Sequence, residues 1–168
     1  DRIQPGREPA TEGFEHLEVA GVGLVYPVML VPEPVQSMVE FVESPILKPW
    51  HMLWFDQAYL GDGGRGNVGS DFRACPLYAN LSGLPPVILA SAECDPIRDE
   101  SYMLAQKLRD AHVLVRHHHS KGSGHGFLNM PWDVNGKRTW QAVLDDLVKL
   151  TRPISEDEVA GMAPALND

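Results

Sequence analysis

Cysteine, clustered basic residues and long apolar stretches are all scarce in this sequence of 168 residues. Its two cysteines, Cys75 and Cys94, cannot build a disulfide framework. Lys and Arg number 14 against 23 Asp and Glu, so the net charge is −9, which argues against nucleic acid and anionic membranes as partners. The longest near-apolar run, Val19–Val31, contains Pro27 and is shorter than the roughly 20 residues that a membrane-spanning helix needs.

Recognisable leader and phosphate-binding motifs are also missing. The first residue is Asp1, and no charged segment followed by an apolar one precedes the first patterned stretch, so no signal peptide is expected and a cytoplasmic location is the default. A chain that starts without Met is expected to be a processed or partial sequence. The glycine-rich segment 61–69 matches neither a dinucleotide-binding loop nor a Walker loop and is interpreted as a connection.

The apolar pattern predicts an α/β fold with a parallel sheet. Short β-branched runs bounded by prolines and glycines are typical of strands that are buried on both faces, and apolar residues at helical spacing follow them. Strands are expected at Val22–Pro27, Val87–Ala92 and Val113–His117, and helices in 35–60 (two, divided by Ser44-Pro45), at Asp99–Ala111 and at Lys137–Leu150. We divide the chain into a polar segment (1–18), the α/β unit (19–150) and a polar tail (151–168).

Two polar residues occupy the positions where parallel sheets carry their chemistry, the carboxyl ends of strands. Asp95 directly follows the second predicted strand, and His125 lies in the glycine-rich loop 121–126 after the third. A carboxylate there could hold the imidazole Nδ1–H and stabilise the imidazolium, and Phe127 could anchor the loop in the core. Two simpler interpretations stay open: Asp95 as the N-cap of the next helix, and His125 as an ordinary loop histidine.

The segment 84–100 (LPPVILASAECDPIRDE), followed after one helix by His125-Gly126-Phe127, resembles the hormone-sensitive-lipase family of α/β-hydrolase esterases and lipases. The resemblance implies that Asp95 is the acid and His125 the base of a catalytic triad, with Asp99 supporting the Asp95 loop. It runs from about Ala20 to Leu150 and corresponds to the C-terminal part of that fold. It implies an incomplete α/β-hydrolase with about three parallel strands, flanking helices and a partial cap segment.

The sequence departs from the family pattern where the nucleophile belongs. Neither an H-G-G-G oxyanion loop nor a G-x-S-x-G elbow occurs in the 168 residues. A smaller departure is Gly124, where the family tends to place an apolar residue, and this is expected to loosen the histidine loop. The resemblance therefore implies an ester hydrolase part that has acid and base but no nucleophile, with an acyl ester as the substrate of the complete protein and no metal or cofactor. Alone, it is expected to be inactive. The alternative is a non-catalytic remnant that acts as a binding module.

The remaining candidates favour structural roles. His117 and His119 could share one face of a strand, but solvated histidines at a strand end are expected in preference to a metal site. Cys94 is expected to be a small buried thiol, and Trp50 and Trp54 are expected in the core. Since the neighbour of the first strand is missing, its edge and that of the third strand are expected to be open to self-association.

Overall fold

The computed structural model describes residues 18–29, 34–67 and 71–151, so nearly all of the predicted terminal segments 1–18 and 151–168 lie outside the described residues. Three parallel strands form one sheet in the order β1 (Val22–Val25), β2 (Val87–Cys94), β3 (Val115–Gly124). Val22, Val87 and Val115 are in register across it. The expected three parallel strands and flanking helices are present.

Four helices flank or follow the strands: α1 (Gln36–Glu40), α2 (Pro49–Leu60), α3 (Arg98–Asp110) and α4 (Val134–Leu150). Pro49 starts α2, where its missing N–H is not needed. Asp133 caps α4 by accepting a hydrogen bond from Gly136 N at 2.7 Å. Acidic residues begin α3 and basic residues end it, as the helix dipole favours. The predicted helices are all present, with boundaries shifted by up to three residues.

Two apolar layers cover the two faces of the sheet, and β2 lies between them. On one face, Leu104 and Leu108 of α3 pack against Leu89. On the other, Val143 of α4 packs with Ile88 and its neighbours. Side chains of β2 alternate between these layers, so every residue from Val87 to Ala92 is buried.

Strand β3 is longer than predicted, and the boundary placed at His117 was wrong. The strand continues to Gly124, so His117, His118 and His119 lie inside it and are half-buried instead of forming a solvated strand end. The side chains of this stretch are polar, so the apolar pattern did not indicate a strand there. Backbone pairing with β2 holds the strand. The register of β3 relative to β2 shifts opposite Ala92–Cys94. Glycine is common in a strand at an irregularity of this kind.

A buried carboxylate fastens α4 to the outer strand. Asp146 accepts hydrogen bonds from Arg116 Nη1 at 2.6 Å, His118 Nε2 at 2.9 Å and Lys149 Nζ at 3.0 Å. Its side chain is 6% exposed, so these partners compensate for the solvation that it loses. Asp146 therefore joins β3 and α4 on the face opposite α3.

Candidate active site

Asp95 and His125 meet at the carboxyl ends of β2 and β3. His125 Nδ1 and Asp95 Oδ2 are 2.9 Å apart, and the Asp95 side chain is 1% exposed. Because an ionised carboxylate only accepts hydrogen bonds, Nδ1–H is the donor of this hydrogen bond and Asp95 Oδ2 is the acceptor. The other ring nitrogen, Nε2, then keeps its lone pair, which is the state that a general base requires.

The turn after β2 fixes the second oxygen of Asp95. Oδ1 accepts a hydrogen bond from Ile97 N at 3.0 Å, and the Asp95 carbonyl accepts one from Arg98 N at 3.0 Å. This is an Asx-type turn. The N-cap of α3 is Ile97, so the simpler interpretation of Asp95 as that N-cap is wrong.

The His125 loop is short and anchored in the core. Gly126 has φ = 77°, a left-handed conformation that suits glycine, and Phe127 is 1% exposed and packs beneath α4. Gly124 is paired with Cys94 in the last register position of β3. A Cβ there would make an ordinary 3.7 Å contact with the Cys94 carbonyl oxygen, so no steric conflict requires glycine at this strand end.

Tyr26 is a site residue that the sequence interpretation missed. Its ring centroid lies 4.8 Å from that of His125 and 5.2 Å from that of Phe127. Burial, and after it the negative charge of Asp95, raises the pKa of the Tyr26 phenol. The signal available in the sequence was its place directly after β1, at the same sheet edge as Asp95 and His125.

His125 lines a cavity of about 400 Å³ between α2 and the ends of the strands. Its apolar wall includes Leu47, Met52, Phe55, Tyr59 and Ile97. Two ionisable side chains, Asp56 and Arg73, and the His125 imidazole interrupt this apolar wall, and ligand cavities commonly combine an apolar lining with a few polar groups. A second cavity of about 690 Å³ lies across Met52 and Asp56, which line both.

Comparison with known proteins gives the family of the chain. Residues 7–129 match the family described as alpha/beta hydrolase fold. The chain belongs to this family. The α/β-hydrolase chain is 36% identical over 108 residues to the carboxylic ester hydrolase LipN of Mycobacterium tuberculosis, covering 64% of the chain and 28% of LipN. It is 37% identical over 65 residues to rat arylacetamide deacetylase, covering 37% of the chain and 16% of that protein.

Solved esterase structures share the fold. EstE1, a thermostable carboxylesterase cloned from a metagenomic library, superposes with a TM-score of 0.73 at 32% identity over 80% of this chain and 46% of EstE1. A bacterial heroin esterase gives a TM-score of 0.74 at 28% identity, over 85% and 46% of the two chains. The resemblance to hormone-sensitive-lipase-type esterases is confirmed, and the chain spans less than half the length of these relatives.

Asp99 connects the Asp95 turn of the α/β-hydrolase chain to α1. Its Oδ2 accepts from Ser37 N at 2.8 Å, and Ser37 Oγ donates to the Pro96 carbonyl at 2.8 Å. Arg98 Nε donates to Asp99 Oδ1 at 2.9 Å. Asp99 is thus linked to the turn through Ser37, and its supporting role stays a prediction.

The aromatic residues of α2 lie elsewhere than expected. Trp50 and Trp54 are each 62% exposed, so their placement in the core was wrong. The large apolar residues of α2 are spread over several sides of the helix, and its buried residues are Met52 and Asp56. A helical repeat of tryptophans therefore did not identify the buried face.

No helix within the described ranges is long and apolar enough to cross a membrane.

The histidine triplet forms two separate arrangements. His117 Nε2 and His119 Nδ1 lie 2.7 Å and 3.1 Å from Ser91 Oγ on the α3 face, whereas His118 faces Asp146 on the other. Tyr102 OH is 3.1 Å from His119 Nδ1. Within residues 18–29, 34–67 and 71–151, no group of three His, Cys, Asp or Glu is placed to hold a metal ion.

Cys94 is half-buried, and burial raises the pKa of its thiol, with Glu93 adding to the rise.

The half-buried His117 is expected to lower the stability of the fold in mild acid. Burial, together with the charges of His119 and Arg109, lowers the pKa of His117 from 6.5 to about 4. Between pH 6.5 and pH 4 the unfolded chain binds a proton at this histidine more tightly than the folded chain does. The contribution of His117 to the free energy of unfolding is therefore complete above pH 6.5 and is lost as the pH falls toward 4. We expect the free energy of unfolding to fall by about 2 kcal/mol from this residue between pH 7 and pH 5.

Urea unfolding of the native chain and of His117→Gln at both pH values measures this contribution. Gln keeps a polar group beside Ser91 but does not titrate. The free energy of unfolding of the variant is therefore expected to fall by about 2 kcal/mol less between pH 7 and pH 5 than that of the native chain. Equal pH dependence in the two proteins contradicts the assignment to His117.

Proposed function

We propose that this chain provides the acid and the base of a serine carboxylic-ester hydrolase. The observation that carries the proposal is the 2.9 Å contact between His125 Nδ1 and Asp95 Oδ2, at a ring that lines an apolar cavity. The family membership and the esterases among its relatives support the same reaction class. Asp95 and His125 are the residues assigned to the reaction, and Asp99 supports them through Ser37.

In the proposed reaction, a serine hydroxyl supplied from outside these 168 residues attacks the acyl carbon of an ester. His125 Nε2 takes the hydroxyl proton as the Ser–O to carbon bond forms, and Asp95 stabilises the imidazolium. The tetrahedral intermediate collapses, the carbon–alkoxy bond breaks, and His125 gives the proton to the leaving alcohol. Water then repeats the sequence on the acyl-serine and releases the acid.

The sequence contains no nucleophile elbow, so we propose that the chain by itself does not hydrolyse esters. Loss of the nucleophile alone costs a serine hydrolase on the order of 10⁶ in kcat. Hydrolysis of p-nitrophenyl butyrate by the purified chain is expected at the background rate. Saturable turnover that His125→Ala abolishes would contradict this expectation.

A chimera tests the proposal itself. The half of EstE1 that has no counterpart here is joined in front of residue 19, so that the resemblance places its nucleophile strand beside β1. We expect hydrolysis of short p-nitrophenyl esters by the chimera and none by either part alone. A chimera that folds, with the circular dichroism of an α/β protein, but stays inactive would favour the alternative of a non-catalytic binding module.

Self-association is a second expectation, and it rests on the outer edge of β1. Val22 N and Tyr26 N donate to the Pro86 and Ala90 carbonyls of the chain's own sheet at 2.9 Å and 2.7 Å. Since alternate residues of a parallel strand point to opposite neighbours, the amides of Gly23 and Val25 face outward, where the described part of the chain places no strand. We propose that copies of the chain associate there.

Hydrogen exchange at several protein concentrations measures this association. The amides of Gly23 and Val25 are expected to exchange quickly in dilute solution and to become protected as concentration rises, while Leu24 stays protected throughout as the internal control. Protection of Gly23 and Val25 in a verified monomer, or fast exchange at every concentration, contradicts association at this edge.

A further inference from the structure

Tyr26 occupies a strained backbone position at the end of β1. Its φ is +37°, in the region that side chains other than glycine avoid. The residue still donates its N–H to the Ala90 carbonyl at 2.7 Å, so the strand ends at the point where the conformation becomes strained. Strain of this kind persists only where the surroundings hold it, and it is concentrated at functional sites.

The unusual φ determines which face of the sheet receives the ring. In a regular strand, Tyr26 would lie on the same face as Leu24, which packs in the α3 layer. Instead, both Val25 and Tyr26 pack in the α4 layer with Phe127. Two successive residues therefore point to the same face, and the second of them brings its ring to His125.

We propose that Tyr26 is a positioning residue whose ring holds the His125 imidazole with Nδ1 toward Asp95 and Nε2 toward the cavity. The centroids of the Tyr26 and His125 rings are 4.8 Å apart and their planes are inclined by 57°. The Phe127 ring lies 5.2 Å from that of Tyr26 and is nearly perpendicular to it. The imidazole is thus held by a hydrogen bond at one edge and by an aromatic ring at its side. Its role in catalysis rests on the proposed function, whereas the contact and its effect on the imidazole do not.

The phenol is suited to a passive role beside a charged pair. Burial and the negative charge of Asp95 raise the pKa of Tyr26, so the hydroxyl stays neutral at pH 7 and adds no second anion next to the carboxylate. The ring, and not the hydroxyl, makes the aromatic contacts with His125 and Phe127. Tyr26→Phe is therefore the matched control, because it keeps the ring and removes only the hydroxyl.

Nitrogen-15 NMR of the histidine side chains tests the proposal in the chain itself, without any hydrolysis. In the native chain and in Tyr26→Phe we expect the His125 Nδ1–H tautomer. Tyr26→Gly removes the ring and relaxes the positive φ, and we expect it to raise the ratio of the Nε2–H to the Nδ1–H tautomer roughly threefold to tenfold, the range that an aromatic contact corresponds to. A folded Tyr26→Gly protein with the native ratio, or loss of the native ratio in Tyr26→Phe, overturns the proposal.

If Tyr26→Gly does not fold, Tyr26→Leu replaces it, since leucine fills the space with an apolar group that has no ring plane. A native tautomer ratio in Tyr26→Leu overturns the proposal, and a raised ratio supports it. An inactive chimera would refute the proposed function and leave this result standing, so the two failures are distinguishable.

Discussion

Replacing Asp95 by Asn is expected to lower kcat of the chimera by about 10⁴-fold while leaving it folded. Asn can still accept the Ile97 N–H at Oδ1, so the turn after β2 is retained. Its amide nitrogen, however, replaces the oxygen that lies 2.9 Å from His125 Nδ1. An amide N–H donates, so Nδ1 must become the acceptor and the proton moves to Nε2, the nitrogen that has to take the serine proton. Steady-state hydrolysis of p-nitrophenyl butyrate measures the loss.

Asp99→Asn provides the comparison for this substitution. Asp99 lies in the same segment but contacts Ser37 and Arg98 instead of the imidazole. We expect its effect on kcat to stay within about tenfold, since it alters the support of the turn and not the tautomer. Equal losses in the two variants would mean that both act through the fold of the 95–99 segment, and would contradict the role assigned to Asp95.

Asp146→Ala is expected to have the largest effect on stability, a fall of about 2 to 3 kcal/mol in the free energy of unfolding. The substitution leaves Arg116, His118 and Lys149 beside one another without the carboxylate that they share. The value lies below the 3–5 kcal/mol typical of fully buried pairs because Arg116 and Lys149 remain 35% and 53% exposed. Urea unfolding at pH 7 is the measurement.

Lys149→Ala removes one partner of the same carboxylate and is the matched control. Its ammonium is the most exposed of the three partners, so we expect a loss of no more than about 0.5 kcal/mol. A loss as large as that of Asp146→Ala would show that Lys149 dominates the cluster. A negligible effect of Asp146→Ala would show that α4 is held by its apolar face alone.

The strand ends were the most predictable part of the site. Asp95 directly follows the second predicted strand, and His125 lies in the loop after the predicted end of the third at His117. Parallel strands end at the same edge of a sheet. Their proximity could therefore be inferred before any coordinates. The family resemblance added the roles, which neither spacing nor composition contains.

Tyr26 and the length of β3 could not be predicted for different physical reasons. The position of the Tyr26 ring depends on one dihedral angle, and a local pattern assigns that residue to the other face of the sheet. Strand β3 continues through histidines, serines and glycines because pairing with β2 supplies backbone hydrogen bonds that are independent of side-chain type. Long-range pairing thus extended a strand whose own residues indicate a loop.

The exposure of Trp50 and Trp54 shows the limit of periodicity as a guide to burial. Periodicity locates the buried face only when the opposite face is polar. Helix α2 carries Trp, Leu, Phe and Tyr on several sides, so its sequence does not distinguish its inward face. Helix α4 has an apolar stripe and several charged residues outside it, and it was predicted to within three residues at its start.

The most direct test of the central claim is the effect of His125→Ala on ester hydrolysis by the chimera, with circular dichroism to verify that both proteins are folded. If His125 is the general base for a serine supplied from outside this chain, hydrolysis is expected to fall on the order of 10⁶-fold, to the background rate. A folded His125→Ala chimera that retains a substantial fraction of the parent rate would contradict that account.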